Sequence, residues 1–180
     1  MKYNIRWMIK DDIDLVVKIE KDSFSQPWCH KDFLDCLKNR GNIGKVIIVD
    51  NNIVGFILYE LMPKGFYIIN IAINPNYRRR GYARAMVDQL IDKLGSESCN
   101  PEEKDKRNYI NSYISEERFH AHLFFKSMGF KAVSIEKDFF RDDEGIFDAY
   151  HFLYKTNYCQ PQDEFASNLM AYDAEDCEGI

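Results

Sequence analysis

The chain has 180 residues, 46% hydrophobic and 14% aromatic, which is enough for one domain with a substantial core. Its net charge of −5 is uneven: from Gln160 onward there are six acids and no Lys or Arg, so the body is close to neutral. The longest basic run is three residues, which argues against nucleic acid as a partner; no apolar run has the length of a membrane span; and five cysteines without a C-x-x-C pair argue against a disulfide framework or a metal site.

The first twelve residues carry charges and lack the apolar stretch of a signal peptide, so a cytoplasmic location with reduced thiols is expected. Tyr3 to Met8 alternates loosely and predicts a strand. Asp11 and Asp12 supply N-cap chemistry for a first helix, in which Ile13, Val16, Val17 and Glu20 recur at helical spacing up to Asp22. A turn, Ser23 to Trp28, carries Phe24 and Trp28, and its Pro27 stops the first helix; a second short helix follows to Arg40. Lys45–Val49 and Ile53–Leu61 read as a hairpin around Asp50-Asn51-Asn52. Tyr67–Ile73 is Ile-rich and almost uncharged, as a buried strand would be. Ala83, Met86, Val87, Leu90, Ile91 and Leu94 form one face of a third helix. Gly95–Lys106 is a polar loop. Asn108–Ile114 is a strand, and Glu116–Ser127 a helix with Phe119, Leu123 and Phe124 on its apolar side, closed by Gly129. Lys131–Ile135 and Phe147–Tyr154 are the last strands, with a turn at Arg141–Gly145 between them.

The junction between the Tyr67–Ile73 strand and the third helix has a physical use. A helix start leaves backbone N–H groups unpaired and adds partial positive charge. Gly81 and Ala83 allow close approach to the backbone, and Arg78, Arg79 and Arg80 add full charge. This is a seat for a pyrophosphate; the competing reading is a basic loop that caps an ordinary helix. It is neither a Walker A loop nor a dinucleotide fingerprint, since no Gly-Lys-Ser/Thr follows and only one of the three glycines is present.

The pattern Arg78-x-x-Gly81-x-Ala83 after an I-A-I-N-P strand resembles the acetyl-CoA motif of the GNAT acetyltransferases. Within that superfamily, the chain is similar to the bacterial ribosomal-protein-alanine N-acetyltransferases: F-S-x-P-W from Phe24 to Trp28 and K-S-M-G-F from Lys126 to Phe130 match segments of that family. The resemblance implies one α/β domain over residues 1–155, a mixed, largely antiparallel sheet of six or seven strands with four helices; the charge pattern sets residues 156–180 apart as an acidic tail. The resemblance implies acetyl-CoA as the acetyl donor, held by Ile71, Ala72, Ile73, Arg78, Arg79, Arg80, Gly81, Tyr82, Ala83 and Arg84, with Arg118 standing where the family has an Asn. It implies an amine acceptor, foremost a protein N-terminus, received against Phe24 and Trp28; packing beneath a loop is the other reading of those two aromatics. A small-molecule amine, or cofactor binding without catalysis, are the alternatives. The sequence leaves the oligomeric state open.

Acetyl transfer needs an unprotonated amine and a proton for the CoA thiolate. The family's general base, a Glu on the fifth strand, falls at Tyr113 here, and its general acid, a Tyr on the next helix, falls at Phe125. Tyr113 and Tyr150 are therefore the candidate catalytic residues. Glu116 and Glu117 are nearby acids that capping also explains, and His30, His120, His122 and His151 are scattered.

Overall fold

The computed structural model describes residues 2–94, 107–142 and 145–156. The loop predicted at Gly95–Lys106 and the acidic tail beyond 156 lie outside the described residues. The elements are β1 (Asn4–Trp7), α1 (Ile13–Lys21), α2 (His30–Lys38), β2 (Asn42–Val49), β3 (Asn52–Met62), β4 (Gly65–Ile73), α3 (Tyr82–Ile91), β5 (Tyr109–Ser115), α4 (Phe119–Ser127), β6 (Lys131–Asp142) and β7 (Gly145–Lys155). Their order is the one the sequence pattern predicts.

The seven strands form one sheet in the order β1-β2-β3-β4-β5-β7-β6. Every neighbouring pair is antiparallel except β4 and β5, which are parallel. The β2–β3 hairpin closes with Val49 opposite Asn52, and Asp50 and Asn51 both take positive φ (48° and 62°). Two such residues give the turn the twist that matches a hairpin, and Asp and Asn tolerate that conformation best after Gly.

The central strands are buried on both faces. α1 and α2 cover one face through Ile13, Val16, Ile19 and Phe33, which meet Val46, Phe56, Leu58 and Ala72. α3 and α4 cover the other through Tyr82, Met86, Val87, Leu90 and Phe125, against Ile57, Tyr59, Ile68, Ile110 and Phe152. Two-sided burial explains why β3 and β4 read as nearly continuous apolar runs.

Two expectations need correction. α4 begins at Phe119, and Phe119 and Leu123 are exposed, whereas Phe125 is buried at 3% and Phe124 packs against the core from the helix edge. Apolar residues surround this helix, so its periodicity does not single out one face. β6 does not stop at Ile135 but runs to Asp142. The charged stretch Glu136-Lys137-Asp138 is accommodated by a register irregularity between Glu136 and Phe140, with Asp138 at φ 55°. β6 is the last strand of the sheet, and charges and bulges suit an edge.

Candidate active site

β4 and β5 are paired only at their starts, Gly65–Tyr67 against Tyr109–Asn111. Beyond that, β4 stays with β3 as far as Ile73, and β5 stays with β7 as far as Ser115. A bulge bends β4 at this point: Tyr59 faces Ile68 and Leu58 faces Asn70, so Ile69 is the extra residue. The Ser112 hydroxyl donates to the Ile68 carbonyl at 3.0 Å and marks the apex of the opening. The strands therefore splay, and β4 beyond Ile68 presents a backbone edge that β5 does not pair. A cleft of about 680 Å³ lies there, bounded by the Phe24–Trp28 turn, Ile68–Ile71, Ser112–Ser115 and the start of α4.

Of the three β4 residues predicted to bind the cofactor, Ile71 lines the cleft. Ala72 and Ile73 point into the two cores, so only their backbone is available. At the mouth, Asn74 Oδ1 accepts from the Asn76 N–H at 3.0 Å and opens a short 3₁₀ turn, Pro75–Tyr77. Arg79 (φ 62°) and Gly81 (φ 81°) are left-handed, and α3 starts at Tyr82. The first intrahelical bond runs from Ala85 N–H to Gly81 O at 2.9 Å, which leaves the N–H groups of Tyr82, Ala83 and Arg84 without an acceptor in the helix. A Cβ built on Gly81 would meet nothing within 4 Å, so the space above these N–H groups is open.

The arginines divide the work. Arg78 turns inward: Nε donates to Ile73 O and Nη2 to Ser23 Oγ, both at 2.9 Å, which ties the end of β4 to the end of α1. Arg80 lies over the Tyr77 ring at 5.4 Å, and Arg84 reaches Ser127 at 3.4 Å. Tyr82 is buried at 4% and meets Tyr3 edge-on, so its contribution to a ligand is its N–H. A left-handed turn, a free helix start and flanking guanidinium groups fit the pyrophosphate of acetyl-CoA.

The other wall is aromatic. Phe24 and Trp28 both line the cleft and both pack: Trp28 meets Phe33 edge-on at 5.5 Å, and Phe24 carries the Arg118 guanidinium over its ring at 4.4 Å. Tyr113 lines the cleft and touches Tyr67 edge-on at 6.0 Å. Tyr67, a residue the sequence reading passed over as a strand aromatic, has its phenol pushed up by burial and by Tyr113. Tyr150 is not brought to Tyr113; it packs against His122 at 4.9 Å and lies outside the cleft lining. Phe125 lines the cleft without a proton to give. Glu117 lines it too, whereas Glu116 accepts from the Asp148 N–H and holds β7. Among the described residues, no histidine lines the cleft, and burial pushes His151 down.

The second residue missed from sequence is Glu20. It occupies the apolar stripe of α1, is buried at 2%, and lines the cleft. Its carboxylate accepts from the Trp28 N–H at 3.2 Å and from Asn70 Nδ2 at 3.1 Å, and burial pushes its pKa up. An acid in the inward stripe of an amphipathic helix was the signal.

The model of the acetyltransferase (GNAT) family matches residues 13–130. An N-alpha-acetyltransferase of Saccharolobus solfataricus is 28% identical over 161 residues, 82% of this chain and 90% of that protein. The [ribosomal protein bS18]-alanine N-acetyltransferase of Escherichia coli (strain K12) is 23% identical over 142 residues, 77% of this chain and 87% of its own. Among solved structures, the Escherichia coli ribosomal-protein-S18-alanine N-acetyltransferase superposes with a TM-score of 0.73 at 20% identity, covering 91% of this chain and 100% of that one. Arabidopsis thaliana NAA60 in complex with acetyl-CoA gives 0.72 at 16% identity, over 87% and 99%.

Proposed function

The chain belongs to the acetyltransferase (GNAT) family, and we propose that this acetyl-CoA-dependent N-acetyltransferase acts on the free α-amine of a protein N-terminus. The observation that carries this reading is the acceptor wall: an aromatic turn, Phe24 to Trp28, fastened to the splayed strand β4 through Glu20 and Asn70. A wall of rings suits an extended peptide start, which brings side chains to bury along with its amine. A polyamine would call for a row of acids, and the cleft offers Glu20 and Glu117 beside Arg118 and Arg141. The relatives named above for N-alpha and ribosomal-protein alanine acetylation support the same acceptor.

Acetyl-CoA supplies an activated acyl group as a thioester. The chain's own residues do the rest. The N–H groups of Tyr82, Ala83 and Arg84 and the guanidinium of Arg79 or Arg80 fix the pyrophosphate. The free edge of β4 around Ile71 orients the carbonyl and offers N–H to its developing charge. An α-amine with a pKa of about 7.7–8.0 asks less of a base than a lysine at about 10.4. Tyr113 stands on the cleft wall where it can return a proton to the departing sulfur.

The test is acetylation of a panel of unmodified N-terminal peptides, read by mass spectrometry against N-blocked copies that carry an internal lysine and against spermidine. Transfer to free α-amines and not to blocked copies is the expected result. Turnover confined to spermidine or to lysine side chains would overturn the reading.

A further inference from the structure

Among the described residues, two acids are buried, Asp12 and Glu20. Asp12 is matched by Arg6, which grips it with both Nη1 and Nη2 at 2.6 and 2.8 Å. Glu20 instead faces the cleft, and the hydrogen bonds to it come from amide N–H groups on two different elements, Trp28 of the turn after α1 and Asn70 of β4. Burial raises the basicity of this carboxylate, and the donors, which favour its charged form, offset part of that rise. The other charged groups around the same space are Glu117, Arg118 and Arg141, with Tyr113 as the titratable phenol lining it; Arg118 moderates the rise. β5 carries no carboxylate at all: its residues are Tyr109, Ile110, Asn111, Ser112, Tyr113, Ile114 and Ser115.

We propose that the Glu20 carboxylate receives the acceptor's ammonium group and takes its proton, making Glu20 the general base of acetyl transfer. The proposal rests on the amine-acetylating reading above but not on which amine is used. Its position joins the two walls: the bond to Trp28 N–H places it under the acceptor turn, and the bond to Asn70 places it beside the free edge of β4. The ammonium gives one proton to Glu20. The freed nitrogen lone pair forms the bond to the acetyl carbonyl carbon, the carbon–sulfur bond breaks, and its electron pair leaves on the CoA sulfur. The nitrogen's second proton reaches that sulfur through Tyr113 or water, and Glu20 releases the first to solvent.

Glu20→Gln is the test, because its amide oxygen still accepts from Trp28 N–H while the basicity is gone. Expected are an unchanged acetyl-CoA affinity, a kcat lower by about a hundredfold or more, and an acidic limb of the pH–kcat/KM profile that moves up to the amine's own pKa, about 7.7–8.0 for an α-amine. Calorimetry of an unmodified peptide with CoA-loaded protein, where no transfer occurs, should show weaker binding in Glu20→Gln. Asn70→Ala provides the second arm: losing a donor to the charged form moves the acidic limb to higher pH. Wild-type rate and limb in Glu20→Gln would overturn the proposal. If that variant does not fold, an acidic limb that stays in place in Asn70→Ala overturns it equally. Both assays are run with the peptide and with spermidine. Failure of the peptide alone counts against the N-terminal acceptor, whereas an unaltered limb on either amine counts against Glu20.

Discussion

The Tyr113 ring is stacked on the His151 imidazole, with centroids 4.7 Å apart and 19° between the planes. Phe139 stacks on it as well, at 4.8 Å and 16°, so the phenol is held between two parallel rings. His151 comes from β7 directly across the ladder from Tyr113, and Phe139 from the irregular part of β6. A strand residue gripped this way cannot swing, and a proton donor gains from a fixed position.

Tyr113→Phe keeps every ring contact and removes only the hydroxyl. Stability should change by no more than about 0.5 kcal/mol. If the phenol returns the proton to sulfur, kcat falls by about a hundredfold while acetyl-CoA affinity holds. Stopped-flow detection of CoA release beside a thermal melt checks both. An unchanged kcat would leave the sandwich a packing device.

Gly81 tests the pyrophosphate seat. Its surroundings are empty, so the requirement for glycine lies in φ 81°, where an L side chain costs about 1–2 kcal/mol. Gly81→Val should destabilise by roughly that amount and weaken acetyl-CoA binding at least about tenfold, about 1.4 kcal/mol, because its side chain fills the space the phosphates use. Arg80→Glu should weaken binding without a comparable stability loss, and more so at low salt. Calorimetry at two ionic strengths measures it; full affinity in Gly81→Val would move the seat elsewhere.

This junction was readable because its signals are local. Pro75, Gly81 and the arginines sit within a few residues of one another, and a turn, a left-handed cap and a charge cluster each follow from residue type. The same holds for the Asp50-Asn51 turn. Glu20 was legible only as an acid in an inward stripe and Tyr67 not at all, since each acquires its role from partners 50 and 46 positions away, Asn70 and Tyr113. Arg78 shows what a motif leaves open. Its place in the motif suggests a phosphate contact, and only the tertiary structure sends its guanidinium to Ile73 O and Ser23 Oγ.

A substitution at Phe24 tests whether acceptor recognition is separate from donor binding. Phe24 lines the cleft and supports Arg118 by a cation–π contact. Phe24→Ala should raise the peptide KM by about tenfold, about 1.4 kcal/mol of lost contact, and leave the dissociation constant of acetyl-CoA unchanged. Initial-rate kinetics with each substrate varied in turn distinguish the two, and a loss confined to acetyl-CoA would place Phe24 on the donor side.

The Arg6–Asp12 pair anchors β1 to the start of α1 and gives the fold an acid-sensitive joint. Asp12 accepts from both nitrogens of Arg6 and from the Ile9 N–H at 2.8 Å; hydrogen bonding from Arg6, foremost, holds its pKa below the usual carboxylate value. A carboxyl with a depressed folded pKa contributes stability that is fully present above its unfolded pKa, about 3.9 for Asp. That contribution is lost as pH falls through the lower folded value. Asp12→Asn removes the charge and leaves Arg6 facing an amide. At pH 7 it should melt below the wild type, by an amount that reflects a half-exposed arginine rather than a fully buried pair. On titration below about pH 4 the gap should close, because the wild-type side chain becomes neutral too. Urea unfolding of both proteins from pH 7 to pH 3 gives the measurement. A gap that stayed constant across that range would mean that packing, not charge, holds β1 to α1.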